Sequence, residues 1–357
     1  MTFEESAVPI GRLDDVLREH GLDGLPEEPF PNDGWSGASL TRLQRGGGDR
    51  FILKRDSLAR DWIAKATNDG PILREAWFAN RCRILDPRTG GALRASYLGA
   101  GKDGEAFALL MPDLTGVLFD WEKPISVEAL DRVLEGMARL HAPSWSDSAS
   151  ADGPWCPIRE RITLICRSSL ERPGPARDAV ADRILPGWDA FDRLASGSAR
   201  DLVAMLGDNP RPLVDVLEAQ PRTLIHGDLK LANVGIAADG AVETIDWQMV
   251  SIAPIAIEIG WFLVANVASL PVEPNEVIRR YRTHLAKGDL DPDDGWLRGN
   301  AFEDDGVDAA VLVGLLLRGW RKGLDADAGI TLGSGVTARD DLAWWCARAV
   351  EAADRIL

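Results

Sequence analysis

The residues best suited to chemistry lie between positions 224 and 247. Leu224-Ile225 leads into His226-Gly227-Asp228-Leu229-Lys230-Leu231-Ala232-Asn233, so Asn233 stands five residues after Asp228. Asp239-Gly240 is a hairpin turn signal, and Ala241-Val242-Glu243-Thr244-Ile245 then delivers Asp246. A strand, a loop and a hairpin in this order bring Asp228, Asn233 and Asp246 to one mouth of a cleft. Phosphoryl transfer to a hydroxyl uses such a set. A carboxylate orients the hydroxyl and accepts its proton, while hard oxygen ligands hold Mg²⁺ against the phosphates. Asp228 reads as the catalytic carboxylate, with Asn233 and Asp246 as the metal ligands. Reading His-Gly-Asp as a chance turn leaves the rest of the order unexplained.

Other elements must hold this loop. Leu13, Val16, Leu17 and Leu22 predict a short first helix, followed by a Pro-rich turn up to residue 30. Ser39 to Leu43 and Phe51 to Lys54 read as strands around the turn Gly46-Gly47-Gly48-Asp49. Leu73 to Leu85 reads as a helix. Ala95 to Leu98 and Ala106 to Met111 read as a second hairpin around a Gly-rich turn. Beyond Pro112 the pattern is helical. Ser126 can cap a helix carrying Leu130, Val133, Leu134, Met137 and Leu140. Residues 143 to 160 read as a loop, and 161 to 220 as two or three helices with boundaries at Pro173-Gly174-Pro175 and Pro186-Gly187. Further helices are expected over 255–268, 273–286, 307–320 and 338–356.

The 224–247 segment resembles the aminoglycoside phosphotransferase family, a branch of the protein-kinase-like superfamily. That family carries His-Gly-Asp, Asn five residues on, and Ile-Asp-Trp or similar; its trailing Asp is matched here by Glu258. The resemblance spans roughly residues 30 to 270. It implies an α+β protein-kinase-like bilobal fold. The N-lobe, 1–111, would be a small antiparallel sheet with one helix, joined by a hinge at 112–114 to a larger, mostly helical C-lobe, 115–357. It implies ATP and Mg²⁺ as cofactors and a small-molecule hydroxyl as acceptor. Gly34-Trp35-Ser36-Gly37-Ala38 resembles the nucleotide-positioning loop, whose small residues let backbone N–H groups approach the triphosphate; Ser36 and Gly37 are its candidate contacts. Lys54 falls where the family holds the α- and β-phosphates, and Glu75 where it pairs that lysine, with Glu105 or Asp56 as substitutes. The hinge would offer the Pro112 carbonyl and the Leu114 amide to adenine. Leu43, Ile52, Met111 and Ile245 could line the adenine pocket. Lys230 is either a charge stabiliser for the transferred phosphate or a solvated loop lysine. His226 reads as an orienter of the loop, and His141 as structural.

Composition narrows the partners. With 40 basic and 56 acidic residues the formal charge is −16, which disfavours nucleic acid and anionic membrane; it would suit a cationic acceptor, but it is also the ordinary acidity of many cytosolic proteins. The run Asn300-Ala301-Phe302-Glu303-Asp304-Asp305, with Asp308, is either a solvated loop or an acidic cluster that could hold an amine. Cys82, Cys156, Cys166 and Cys346 form no Cys-x-x-Cys pair, which speaks against a zinc or redox motif and for buried thiols in the cytoplasm. The longest apolar stretch, 252–270, is broken by Pro254 and Glu258 and does not read as a membrane span. Gly99-Ala100-Gly101-Lys102-Asp103-Gly104 imitates a dinucleotide fingerprint, but a strand rather than a helix follows it. Trp261 and Trp320 are either core or an acceptor platform. Two rivals stay open: a nucleotide-binding regulator without catalysis, and a protein kinase. No Ala-Pro-Glu and no activation-loop-like segment follow Asp246, which weighs against the second.

Overall fold

A computed structural model describes residues 10–32, 34–67, 70–85, 89–142, 153–288 and 302–357. Helix α1 (Leu13–Glu19) is followed by strands β1 (Glu28–Phe30), β2 (Ser39–Gln44) and β3 (Arg50–Asp56), then helices α2 (Trp62–Ala66) and α3 (Arg74–Ala79). Next come β4 (Leu93–Ala95), β5 (Gly99–Asp103) and β6 (Ala106–Pro112). The first sheet is antiparallel with strand order β1-β2-β3-β6-β5. Its two faces differ. Ile52, Lys54 and Met111 face the large core and the cleft, while Leu43, Leu53 and Leu110 join Leu13 and Leu22 in a small core under α1.

Several expectations change in this half. Residues 28–30 are an edge strand rather than part of a turn; Pro29 is tolerated there because edge strands can spare an N–H. The glycine run is itself strand β5, and the turn lies at Gly104-Glu105. Gly101 is needed because a Cβ there would lie 2.5 Å from Leu13 N; the strand makes room for the backbone of α1. Ala95 ends β4, which leaves this sheet and pairs in parallel with a later strand. The expected 73–85 helix breaks after Ala79 and resumes as a 3₁₀ turn over Cys82–Ile84.

After β6 the chain is mainly helical: α4 (Val127–His141), α5 (Ile158–Thr163), α6 (Arg167–Glu171), α7 (Pro175–Leu194), α8 (Gly197–Asp208) and α9 (Arg211–Glu218). Ser126 caps α4, its hydroxyl accepting the Ala129 N–H. Of the expected 143–160 loop, residues 143–152 lie outside the described residues. Helix α7 runs straight through Pro186-Gly187, where a boundary was expected. Ile184, Trp188 and Phe191 are buried along it, and that packing outweighs the hydrogen bond Pro cannot make.

Strands β7 (Thr223–Ile225), β8 (Val234–Ile236), β9 (Val242–Thr244) and β10 (Ser251–Ala253) carry the motif region, and α10 (Ile255–Ala265), α11 (Pro274–Gly288), α12 (Asp304–Asp327) and α13 (Ala338–Ile356) complete the chain. β7 pairs with β10, and β8, β9 and β4 form a three-stranded sheet. Helix α12 packs against α7, α10 and α13. Helix α10 is apolar nearly all round, as a helix buried on every side must be. Among the described residues no helix is long and apolar enough to cross a membrane. All four cysteines are buried. The result is the α+β, protein-kinase-like arrangement of an antiparallel N-terminal sheet against a helical C-terminal region.

Candidate active site

The His-Gly-Asp loop leaves β7 under tight constraint. Gly227 has φ +80°, and a Cβ on it would lie 2.1 Å from Met249 O, so only glycine fits. Beneath the loop, the fully buried Glu258 of α10 accepts the N–H of His226 at 2.5 Å and that of Gly227 at 3.2 Å. Burial pushes the Glu258 carboxyl up, but His141, with Nε2 3.9 Å away, and the backbone N–H groups outweigh it and hold it low. His226 Nε2 lies 2.9 Å from Ile245 O, and the Asp228 N–H donates to Nδ1 at 3.2 Å. A carbonyl can only accept and an amide N–H only donate, so the ring is neutral with its proton on Nε2. Burial lowers the His226 pKa, in agreement. The histidine ties the loop to the strand that carries Asp246.

Two predicted residues converge on Asp228. Lys230 Nζ donates to its Oδ2 at 2.9 Å, and Asn233 Nδ2 reaches the same oxygen at 3.3 Å and the Asp228 carbonyl at 3.0 Å. Lys230 therefore lies against the carboxylate rather than free in solvent. Burial lowers its pKa, but Asp228 and Asp246 more than reverse that. Asn266 accepts the Leu231 N–H at 2.7 Å and fixes the middle of the loop.

Asp246 is the one non-glycine among the described residues with a positive φ, +67°. Such strain persists where surrounding contacts over-determine it, often at functional sites. Lys54 Nζ bridges Asp246 Oδ1 and Glu75 Oε2, each at 2.7 Å. Burial alone would lower the Lys54 pKa, but the two carboxylates raise it on balance. Burial raises that of Glu75, while Lys54 and Lys230 overcome burial at Asp246 and lower its pKa. Tyr97 donates to Glu75 Oε1 at 2.7 Å and accepts the Trp247 N–H at 3.1 Å. Of the three acids considered for Lys54, Glu75 is the partner. Asp56 turns back to the Ser57 N–H, and Glu105 sits on the exposed β5–β6 turn.

Lys54, Glu75, Asp228, Lys230, Asn233 and Asp246 line one cleft of about 610 Å³. Ile52, Lys54, Met111, Pro112, Leu114 and Ile245 wall one end, and Ser36 lies in the loop above. Gly37 is exposed with φ +91° and is not a wall; it turns the chain between Ser36 and Ala38, which are. Leu43 is not a wall either. It stands three residues from Leu40, so the two-residue alternation of a strand puts Leu40 on the cleft face and Leu43 on the other. Trp261, Trp320, Arg161, Arg318 and Gln248 form the far end. Both tryptophans therefore belong to the cleft as well as to the core.

The acidic run does not reach this cleft. Asp308 is buried against Arg348 and Arg355, Asp304 pairs with Arg282, and neither residue lines it. Asn300 and Ala301 lie outside the described residues. Arg161, Arg318, Tyr97 and Gln248 escaped the sequence reading. One signal was available: Arg318 breaks an apolar helical run, Val311 to Leu317, just before Trp320. Nothing in the sequence near Arg161 marks it.

The sequence model of the phosphotransferase enzyme family matches residues 32–302, more than half of the chain. Among solved structures, a spectinomycin phosphotransferase in complex with ADP and spectinomycin superposes with a TM-score of 0.50 at 13% identity, covering 96% of each chain. A choline kinase from Cryptosporidium parvum Iowa II gives a TM-score of 0.50 at 12% identity, again covering 96% of each chain. At these identities the likeness is one of fold. No curated protein matches the sequence.

Proposed function

The chain belongs to the phosphotransferase enzyme family and is a small-molecule kinase, and from that premise we propose that it moves the γ-phosphate of ATP to a hydroxyl in an Mg²⁺-dependent reaction. The observation that carries this reading is the convergence of Asp228, Lys230 and Asn233 in one cleft with the Lys54–Glu75–Asp246 cluster. The nucleotide lies between the lobes 1–111 and 115–357, against the hinge at 112–114. Pro112 and Leu114 present backbone groups to adenine between Ile52, Met111 and Ile245. Ser36 and Lys54 position the phosphates, Gly37 turns the loop that presents Ser36, and Glu75 holds Lys54. The ADP in the spectinomycin phosphotransferase structure supports this use of the cleft. A cytoplasmic setting suits the four buried thiols.

The donor set fits Mg²⁺. Among the described residues there is no cluster of three acidic, His or Cys ligands, and this ion needs none, since it takes one or two protein oxygens plus phosphates and waters. Asn233 and Asp246 supply those oxygens; when bound, the metal neutralises charge on the phosphates. Asp228 accepts the acceptor's hydroxyl proton as that oxygen bonds to the γ-phosphorus and the bond to ADP breaks. Lys230, against Asp228, stabilises charge on the transferred group. Catalysis is mainly positioning and electrostatics.

ATP consumption with Mg²⁺ across aminoglycosides, macrolides, choline, amino alcohols, sugars and sugar acids tests the reading. Asp228→Asn should cut turnover on the accepted compound by roughly 10²–10⁴-fold, the usual worth of a general base, with ADP affinity kept. Near-full turnover in that variant would remove Asp228 from the role.

A further inference from the structure

The far end of the cleft is positively charged in a chain whose net charge is −16. Arg161, Lys230, Arg318 and Arg321 line it, against the carboxylates Asp228 and Asp325. Two of the cations are spoken for: Lys230 lies on Asp228 at 2.9 Å and Arg321 on Asp325 at 2.9 Å. The other two have no carboxylate partner among the described residues. Arg161 is only 3% exposed; its Nε donates to Gly227 O at 2.7 Å, and its guanidinium lies 4.6 Å over the Trp261 ring. Arg318 is stacked between Trp261 at 5.5 Å and Trp320 at 5.0 Å, and its buried Nε has no hydrogen-bond partner. Gln248 Oε1, Trp261 Nε1 and Trp320 Nε1 are likewise buried without a partner, in side chains more than nine-tenths buried.

A largely buried cation with no carboxylate at ion-pair distance is costly even with Asp228, Glu258 and Asp325 in electrostatic reach, and buried polar atoms normally find partners. Both guanidinium groups lose basicity through burial, Arg318 to about 10. Such groups are stabilised when a ligand brings the opposite charge, and a guanidinium fork matches a carboxylate in particular. Lys54 and Lys230 already face the phosphate-handling residues, whereas Arg161 and Arg318 stand on the α5 and α12 walls beside Trp261.

We infer that the acceptor is a hydroxyl compound bearing an anionic group, a carboxylate, held by Arg161 and Arg318 on the Trp261–Trp320 wall. This rests on the phosphotransfer reading and reverses the expectation of a cationic acceptor. The indole N–H groups and Gln248 add hydrogen bonds for hydroxyls on the same molecule.

The test reads binding separately from turnover. Melting temperature is measured with MgADP present, adding glucuronate or glucose, gluconate or sorbitol, glycerate or glycerol, and glucosamine. The carboxylate member of at least one pair should stabilise the protein while its neutral partner and glucosamine do not. Arg318→Met should weaken that binding about ten- to hundred-fold, the worth of a charged hydrogen bond, and Arg318→Lys should weaken it less. A retained MgADP shift in both variants shows that they are folded. Stabilisation by the neutral or amine compounds, or by none of the panel, overturns the inference. So does an Arg318→Met variant that loses ATP affinity as strongly, because the arginine would then serve the nucleotide. Carboxylate binding without turnover would count against phosphotransfer and leave the anion site standing.

Discussion

Replacing Lys54 by Met removes the one cation joining Glu75 and Asp246. The Lys54 and Glu75 side chains are 11% and 7% exposed and meet at 2.7 Å. Asp246, at the same distance, is 23% exposed and keeps Lys230 within electrostatic reach, so most of the loss falls on Glu75. Breaking a buried pair by removing one partner costs about 3–5 kcal/mol, because the remaining charge is uncompensated. Tyr97 still donates to Glu75, and the carboxylate can take up a proton, so we expect about 3 kcal/mol, the low end of that range. Urea unfolding near pH 7.5 measures this. Lys54→Met/Glu75→Gln should recover a substantial part, because the amide brings no charge to bury. The loss should also shrink on acidification. Burial raises the folded-state pKa of Glu75 above its unfolded value, so the folded protein binds the extra proton and its deficit is largest above the folded pKa. A loss under about 1 kcal/mol, or a double variant as unstable as the sum of the single ones, would refute the assignment of a buried, mutually dependent pair.

Gly227→Ala forces an L residue to φ +80° with its Cβ 2.1 Å from Met249 O; strain and overpacking together should cost roughly 2–6 kcal/mol in unfolding measurements and disable turnover. His226 is held neutral with a folded pKa below 6.5, so the unfolded chain binds the extra proton as pH falls through that value. Its contribution is complete above pH 6.5 and is lost between there and the folded pKa, by up to about 1.4 kcal/mol per pH unit. Melting curves from pH 7.5 to 5 should therefore be flatter for His226→Gln than for the parent, and equal slopes would remove His226 as the source.

Much of one end of the cleft was legible in the sequence because it is local. Asp228, Lys230 and Asn233 lie within one loop, and the spacing that brings them together is written along a few residues. The Gly46-Gly47-Gly48 and Asp239-Gly240 turns and the Ser126 cap followed in the same way, since turn chemistry and capping act over a handful of positions, while the fold class followed from the family resemblance of the 224–247 segment. Tertiary structure decided the rest. Strand parity, fixed by pairing across the sheet, put Leu40 rather than Leu43 in the cleft. Close approach of α1 turned a glycine-rich run into a strand, and packing along α12 carried α7 through a proline. The sign of the far end of the cleft was hidden for the same reason. Net charge is a sum over the whole surface, whereas the local field depends on which charges are paired. The acidic residues near 304 spend their charge on Arg282, Arg348 and Arg355, while Arg161 and Arg318, 157 positions apart in the chain, both lie against Trp261 without an ion pair among the described residues.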